Sequence, residues 1–241
     1  MPLEINHLTG GYAGVSVIKD LSLTVNDGEC VGLIGLNGAG KSTTIKHVLG
    51  LLRPQAGEIT LDGQAGGYKK DLAYIPEMPV LYPELTLKEH LDLVILNYQL
   101  DPTAAWEKAH VLLKKFRLDN KLDWMPINFS KGMQQKVMIV SAFLADTKLL
   151  IVDEPFTGLD PLAVMELLKL LNEAKKAGKI ILMSTHILTN ASQVVDHYAV
   201  LNQGQIEAFG QLSDLREKYQ MTPDQPIDQI YQLMLGEKFD A

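Results

Sequence analysis

The chain contains a single cysteine, Cys30, in 241 residues, so no disulfide can close within it, as suits a reducing compartment. Long apolar runs are missing too, and none approaches the roughly 18 residues needed to cross a bilayer. The opening MPLEINHLTGGY lacks the charged-then-apolar layout of a secretory leader. A cytoplasmic protein is expected, and any work at a membrane would need another molecule to hold it there. Positive charge is in deficit, with 22 Lys and Arg against 29 Asp and Glu. The resulting net charge of -7 argues against non-specific attraction to nucleic acid, and none is expected as a partner. No internal repeat or low-complexity tract interrupts the chain. What remains, 46% hydrophobic and 21% charged, is ordinary globular composition with enough length for one large domain or two lobes.

Against that plain background, Gly35 to Ser42 reads GLNGAGKS, the G-x-x-x-x-G-K-[ST] pattern of a phosphate-binding loop. Gly35, Gly38 and Gly40 let the backbone curl so that successive N–H groups, with Leu36, Asn37 and Ala39 between, face phosphate oxygens. Lys41 brings a mobile positive charge to the β- and γ-phosphates, and the Ser42 hydroxyl is placed to ligate Mg²⁺. Glu29 to Ile34 before the loop suits a buried strand. Thr43 onward suits a helix, with Ile45, Val48, Leu49 and Leu52 spaced for one face. Strand, loop and helix N-terminus together form an anion site.

The rest of the chain alternates in texture. Leu3 to Leu8 and Val15 to Val25 read as half-exposed antiparallel strands, and Glu58 to Gly63 and Leu72 to Pro76 as further short strands. From Leu87 to about Leu118 the period turns helical, with Leu87, Leu91, Val94 and Ile95 on one face and a break at Asp101-Pro102, so a helical insertion is expected. Parallel-sheet texture returns at Lys148 to Val152 and Lys179 to Met183, flanking an amphipathic helix over Pro161 to Ala177. Val200 to Ile206 resembles a hairpin, and the tail from Ser213 is polar and helical.

Two carboxylates, Asp153 and Glu154, end the strand Leu149 to Val152, where open α/β sheets bind ligands. Asp153 is placed to hold Mg²⁺, and Glu154 to act on the attacking water as general base. His186 follows the next apolar strand and reaches the same sheet edge, suited to a hydrogen bond with the γ-phosphate.

The chain resembles the ATP-binding subunit of ATP-binding-cassette (ABC) transporters from about Leu3 to Gly210. Phe129 to Lys136 (FSKGMQQK) aligns with the family signature, usually Leu-Ser-Gly-Gly-Gln followed by Gln-Gln-Arg. Pro155 to Asp160 matches the segment that couples hydrolysis to the facing subunit, with Asp160 in that role. The resemblance gives Tyr12 the stacking contact with adenine and Val17 the apolar contact behind it. Ser130, Lys131, Gly132 and Met133 would face the ATP of the opposite subunit. PEMPVLYPEL, FSKGMQQKVMI and MSTHIL resemble the Ecs-type branch of Gram-positive bacteria more closely still. The chain also departs from the usual pattern. Glu77 stands where the family has Gln, keeping an oxygen for Mg²⁺ or its water, while Lys131 and Met133 replace a Gly and the Gln of the signature.

The resemblance implies an α/β P-loop NTPase fold of the ABC type over 1–241. It would combine a mixed-sheet core lobe (1–76 and 147–210), an N-terminal antiparallel β subdomain, a helical subdomain (77–146) carrying the signature and a helical tail (211–241). It implies ATP and Mg²⁺ as ligands and a head-to-tail homodimer. A separate, exporter-like permease would hold the subunit at the cytoplasmic face of the membrane. The alternatives are a soluble cassette ATPase of translation or DNA repair and a non-hydrolytic binding module. Neither a second cassette nor a long coiled coil is present for the first, and intact Asp153, Glu154 and His186 weigh against the second.

Overall fold

The computed structural model describes residues 2–222 and 225–234. Met1, and residues 223–224 and 235–241 of the expected helical tail, lie outside the described residues. Contacts gather the chain into two compact units, Lys70–Lys179 and the remainder on either side of it.

In the first unit, β1 (Leu3–Tyr12) and β2 (Val15–Val25) pair antiparallel, Leu3 opposite Val25 and Tyr12 opposite Val15. The alternation seen in the sequence sets the register, since a one-residue slip would expose Leu21, Leu23 and Val25. After β3 (Cys30–Ile34), buried throughout, comes α1 (Lys41–Val48). This helix is shorter than its apolar spacing suggested. Gly50 takes a left-handed φ of 68° and turns the chain away, so Leu49 caps the helix and Leu52 lies beyond it. Then β4 (Ala56–Leu61) joins β1 on its free side and β5 (Gln64–Ala65) completes a sheet ordered β2-β1-β4-β5.

The second unit begins with β6 (Leu72–Ile75), followed by α2 (Leu87–Asn97) and α3 (Pro102–Lys115). Thr86 and Glu89 form a reciprocal capping box on α2, and Asp101 caps α3 with Pro102 in its first turn. Next come α4 (Lys131–Ala145), β7 (Leu149–Asp153) parallel to β6, and α5 (Pro161–Lys176). Every residue of β7 is buried, and α4 turns Val137, Ile139, Val140 and Leu144 inward.

The chain re-enters the first unit with β8 (Ile180–Ser184), the short α6 (Leu188–Ala191) and the hairpin β9 (His197–Asn202) and β10 (Gln205–Gly210). Strand β3 lies parallel between β8 and β9, while β10 runs antiparallel to β9, so the sheet is mixed. Helices α7 (Leu212–Lys218) and α8 (Ile230–Met234) close the described chain.

Candidate nucleotide site

In the first unit the buried strand β3 delivers the chain to the phosphate loop. Gly38 and Gly40 adopt φ of 82° and 115°, conformations that a side chain would strain, and Gly40 is the N-cap of α1. The amide of Ala39 donates to the Leu36 carbonyl at 3.1 Å, closing the turn. Thr44 returns both its amide and its hydroxyl to the Gly40 carbonyl, at 2.8 and 3.0 Å. Lys41 folds back over the loop, its Nζ donating to the carbonyls of Gly35 and Leu36 at 2.6 and 3.2 Å. Asn37, Gly38 and Ser42 stay exposed at the rim, while Thr43 is buried. No acidic residue sits in the first turn of α1 to compete with an anion. Helix-start amides, a lysine and a hydroxyl make a donor set that fits the phosphates of a nucleotide.

The loop is also tied to the β9–β10 hairpin. Gly204 donates its amide to the Ala39 carbonyl at 3.0 Å and accepts from the Lys19 amide at 2.9 Å. A Cβ on Gly204 would run into the Val17 carbonyl.

Tyr12 lies beside α1. Its hydroxyl accepts from Lys46 Nζ at 3.1 Å, and that ammonium stands 5.3 Å from the ring centre. Burial raises the phenol's pKa, but hydrogen bonds with Thr43 and Lys46 and the Lys46 charge outweigh it, leaving the pKa below its ordinary value. Val17 is half-buried on β2, where its backbone nitrogen and the Val15 carbonyl occupy the space a side chain on Gly11 would need. At the end of β8, Ser184 and the following Thr185 are fully buried, and His186 emerges exposed.

The second unit carries the acidic half of the motif set. Asp153 is buried at the end of β7, where the Tyr74 hydroxyl meets its Oδ2 at 3.4 Å. Burial, the Asp153 charge and the more distant Glu77 push the Tyr74 phenol well above its usual range, so it remains a neutral donor. Glu154 turns the chain with a left-handed φ of 46°, a strained conformation for a non-glycine residue that costs on the order of 1–3 kcal/mol. Glu77 is exposed just past β6, and Gln135 of α4 donates to the preceding Pro76 carbonyl at 2.9 Å.

Ser130 caps α4, its hydroxyl accepting from the Met133 amide at 3.3 Å, and Lys131 is exposed beside it. Gly132 packs so closely on the Gly158 carbonyl that a Cβ there would collide. Asp160 caps α5 through the Ala163 amide at 3.0 Å and also takes Lys136 Nζ at 2.5 Å. Those two bonds hold its carboxyl below the usual carboxylate range.

Each unit thus brings its own residues together, Tyr12 with the start of α1 in one, and Asp153 with Tyr74, and the signature with Asp160, in the other. Tyr74, Gln135 and Gly204 escaped sequence reasoning. Only Gln135 carried a signal, as part of the Gln-Gln pair after the signature. Among the described residues, no three His, Cys, Asp or Glu side chains gather into a metal cage. Mg²⁺ at such a site takes most of its oxygens from phosphates and water.

A family model described as "ABC transporter" matches residues 18–157. Bacillus subtilis EcsA, an ABC-type transporter ATP-binding protein, is 50% identical over 95% of this chain and 94% of its own. The chain belongs to the ATP-binding subunits of ABC transporters. A solved ATP-binding subunit of an ABC transporter superposes with a TM-score of 0.91 at 47% identity, over 97% of this chain and all of that one. The lipopolysaccharide export ATP-binding protein LptB of Haemophilus influenzae is 31% identical over 98% of both chains. The protein is therefore an ATPase of the P-loop fold that uses ATP and Mg²⁺. Members of this family serve as the ATP-binding subunits of ABC transporters.

Proposed function

We propose that this ATPase powers a separate, exporter-like permease through ATP-dependent closure of a head-to-tail homodimer, peripheral to the cytoplasmic face of the membrane. The observation that carries the permease reading is an uncovered apolar strip just after Glu77. Met78, Val80 and Tyr82 are 63%, 74% and 57% exposed on a segment that a docking helix could cover. No helix among the described residues is long and apolar enough to cross a membrane, so a transport pathway would belong to the partner. LptB, by its name part of an export system, supports the exporter side.

In this reading the core lobe spans 1–76 and 147–210, the helical subdomain 77–146, and the tail follows from 211. Tyr12 and Val17 hold the adenine. The loop from Gly35 to Thr43, with Lys41, holds the phosphates. Ser42, Asp153 and Glu77, directly or through water, hold Mg²⁺, which supplies charge neutralisation on the phosphate oxygens when bound. Glu154 takes the proton of the attacking water as its oxygen bonds to the γ-phosphorus, and the bond to the ADP oxygen breaks. His186 donates to the γ-phosphate. Ser130, Lys131, Gly132 and Met133 of the facing copy complete the shell. Since they contact only a nucleotide that retains its γ-phosphate well, hydrolysis weakens the closed dimer. Asp160 relays that change between the copies.

The test is ATPase activity with and without the copurified membrane partner in lipid. Stimulation by the partner in wild type, retained in Glu77→Gln and lost in Glu77→Ala while dimerisation persists, is expected. Stimulation equal in wild type and Glu77→Ala would place coupling elsewhere, and no stimulation by any membrane partner would favour a soluble ATPase.

A further inference from the structure

The loop that carries His186 is gripped from both sides by the last described turn of the chain. On one side the Tyr231 hydroxyl donates to the Thr185 carbonyl at 3.0 Å, while the Thr185 hydroxyl accepts from the Ile187 amide at 3.0 Å. On the other, Asp228 accepts from the Leu188 amide on Oδ1 at 3.0 Å and from the Thr189 hydroxyl on Oδ2 at 2.7 Å. Helix α6 needs this help. It has only 4 residues, and Ile187 at its N-cap has no side chain that could accept a hydrogen bond. A carboxylate distant in sequence supplies the missing cap.

The gripping segment is itself well seated. Ile227 and Ile230 are buried in a cluster with Ile34, Leu188, Tyr198 and Val200. The Arg216 guanidinium donates to the carbonyls of Thr222 and Gln225 at 2.9 and 3.3 Å, fixing the approach to it. Ile34 is the last residue of β3 before Gly35, so the same cluster seats the grip and the strand that feeds the phosphate loop. The backbone before and after His186 therefore answers to residues 228 and 231.

We propose that Asp228 is a positioning residue for His186, and that residues 227–231 set the rate of ATP hydrolysis by fixing the loop from Thr185 to Thr189. The proposal rests on the reading of His186 as the γ-phosphate contact. A ring displaced by about 1 Å loses its alignment on a reacting phosphate, which costs rate far more than it costs binding.

In the full-length ATPase, Asp228→Ala is expected to lower kcat roughly tenfold, with KM for ATP and the melting temperature close to wild type. Asp228→Asn keeps an acceptor for the Leu188 amide and is expected to recover most of that loss. In a His186→Ala background, Asp228→Ala is expected to change kcat little further, because the residue it positions is gone. An equal fractional loss in both backgrounds, or a wild-type kcat in Asp228→Ala beside a slow His186→Ala, overturns the proposal alone. Wild-type turnover in His186→Ala overturns the reading of His186 and the proposal with it. If Asp228→Ala does not fold, Thr189→Val and Tyr231→Phe each remove a single bond of the grip and carry the same comparison.

Discussion

Lys136 and Asp160 meet at 2.5 Å, joining α4 to the cap of α5. With the close approach of Gly132 to the Gly158 carbonyl, the contact fixes Ser130 and Asp160 as one piece.

Asp160 has a testable pH signature. Its folded carboxyl is held below the unfolded value of about 3.9, first by Lys136 and then by the Ala163 amide. Its stabilisation is thus complete above that value and is lost as the pH falls through the folded one. Asp160→Ala is expected to destabilise by about 1 kcal/mol at pH 7, mostly through the lost cap. Urea titrations should show the gap between wild type and mutant closing below about pH 4. A gap unchanged down to pH 3 would separate Asp160 from that acid dependence.

Glu154→Gln keeps the size of the side chain and removes the carboxylate proposed as the base. Turnover is expected to fall roughly 10²- to 10⁴-fold while ATP binding persists, so a dimer accumulates with ATP bound. Gel filtration with ATP and a phosphate-release assay would read both effects. Near-normal release from a folded mutant would take Glu154 out of the reaction.

Lys41→Ala deletes the charge that folds over the phosphate loop. Calorimetry is expected to show ATP affinity weaker by about 10- to 100-fold, the worth of a hydrogen bond to a charged group. Unchanged affinity would contradict the phosphate-loop assignment.

Tyr12 has its hydroxyl engaged by Lys46 and its ring beside α1. If the ring stacks on adenine, Tyr12→Ala is expected to cost about 5- to 100-fold in ATP affinity and Tyr12→Phe little. Equal affinities for the two mutants would put adenine elsewhere.

Local chemistry made much of this protein legible. The phosphate loop is a contiguous string whose glycine spacing dictates its curl, and Pro161 announces a helix start through its fixed φ. What stayed hidden depends on residues meeting across long stretches of chain. Tyr74 reaches Asp153 only because β6 and β7 align in parallel, and Gln135 reaches Pro76 only because α4 is seated by its buried face. Leu52 fitted the helical period, yet Gly50 had already turned the chain, since periodicity ignores a residue free to adopt left-handed φ. Asp228 looked like an ordinary acid in a polar tail, and only the folded chain brings it to α6.

The bond from Gly204 to the Ala39 carbonyl has a consequence for anyone screening variants of this protein. Gly204 has a φ of 84° and the Val17 carbonyl pressed against the place of its missing side chain, so every replacement there pushes on the phosphate loop. A scan guided by nucleotide motifs would pass over the hairpin tip as neutral ground. A blind selection for lost ATPase activity should nonetheless recover position 204 alongside Lys41, as a lesion of ATP binding inherited through the hairpin.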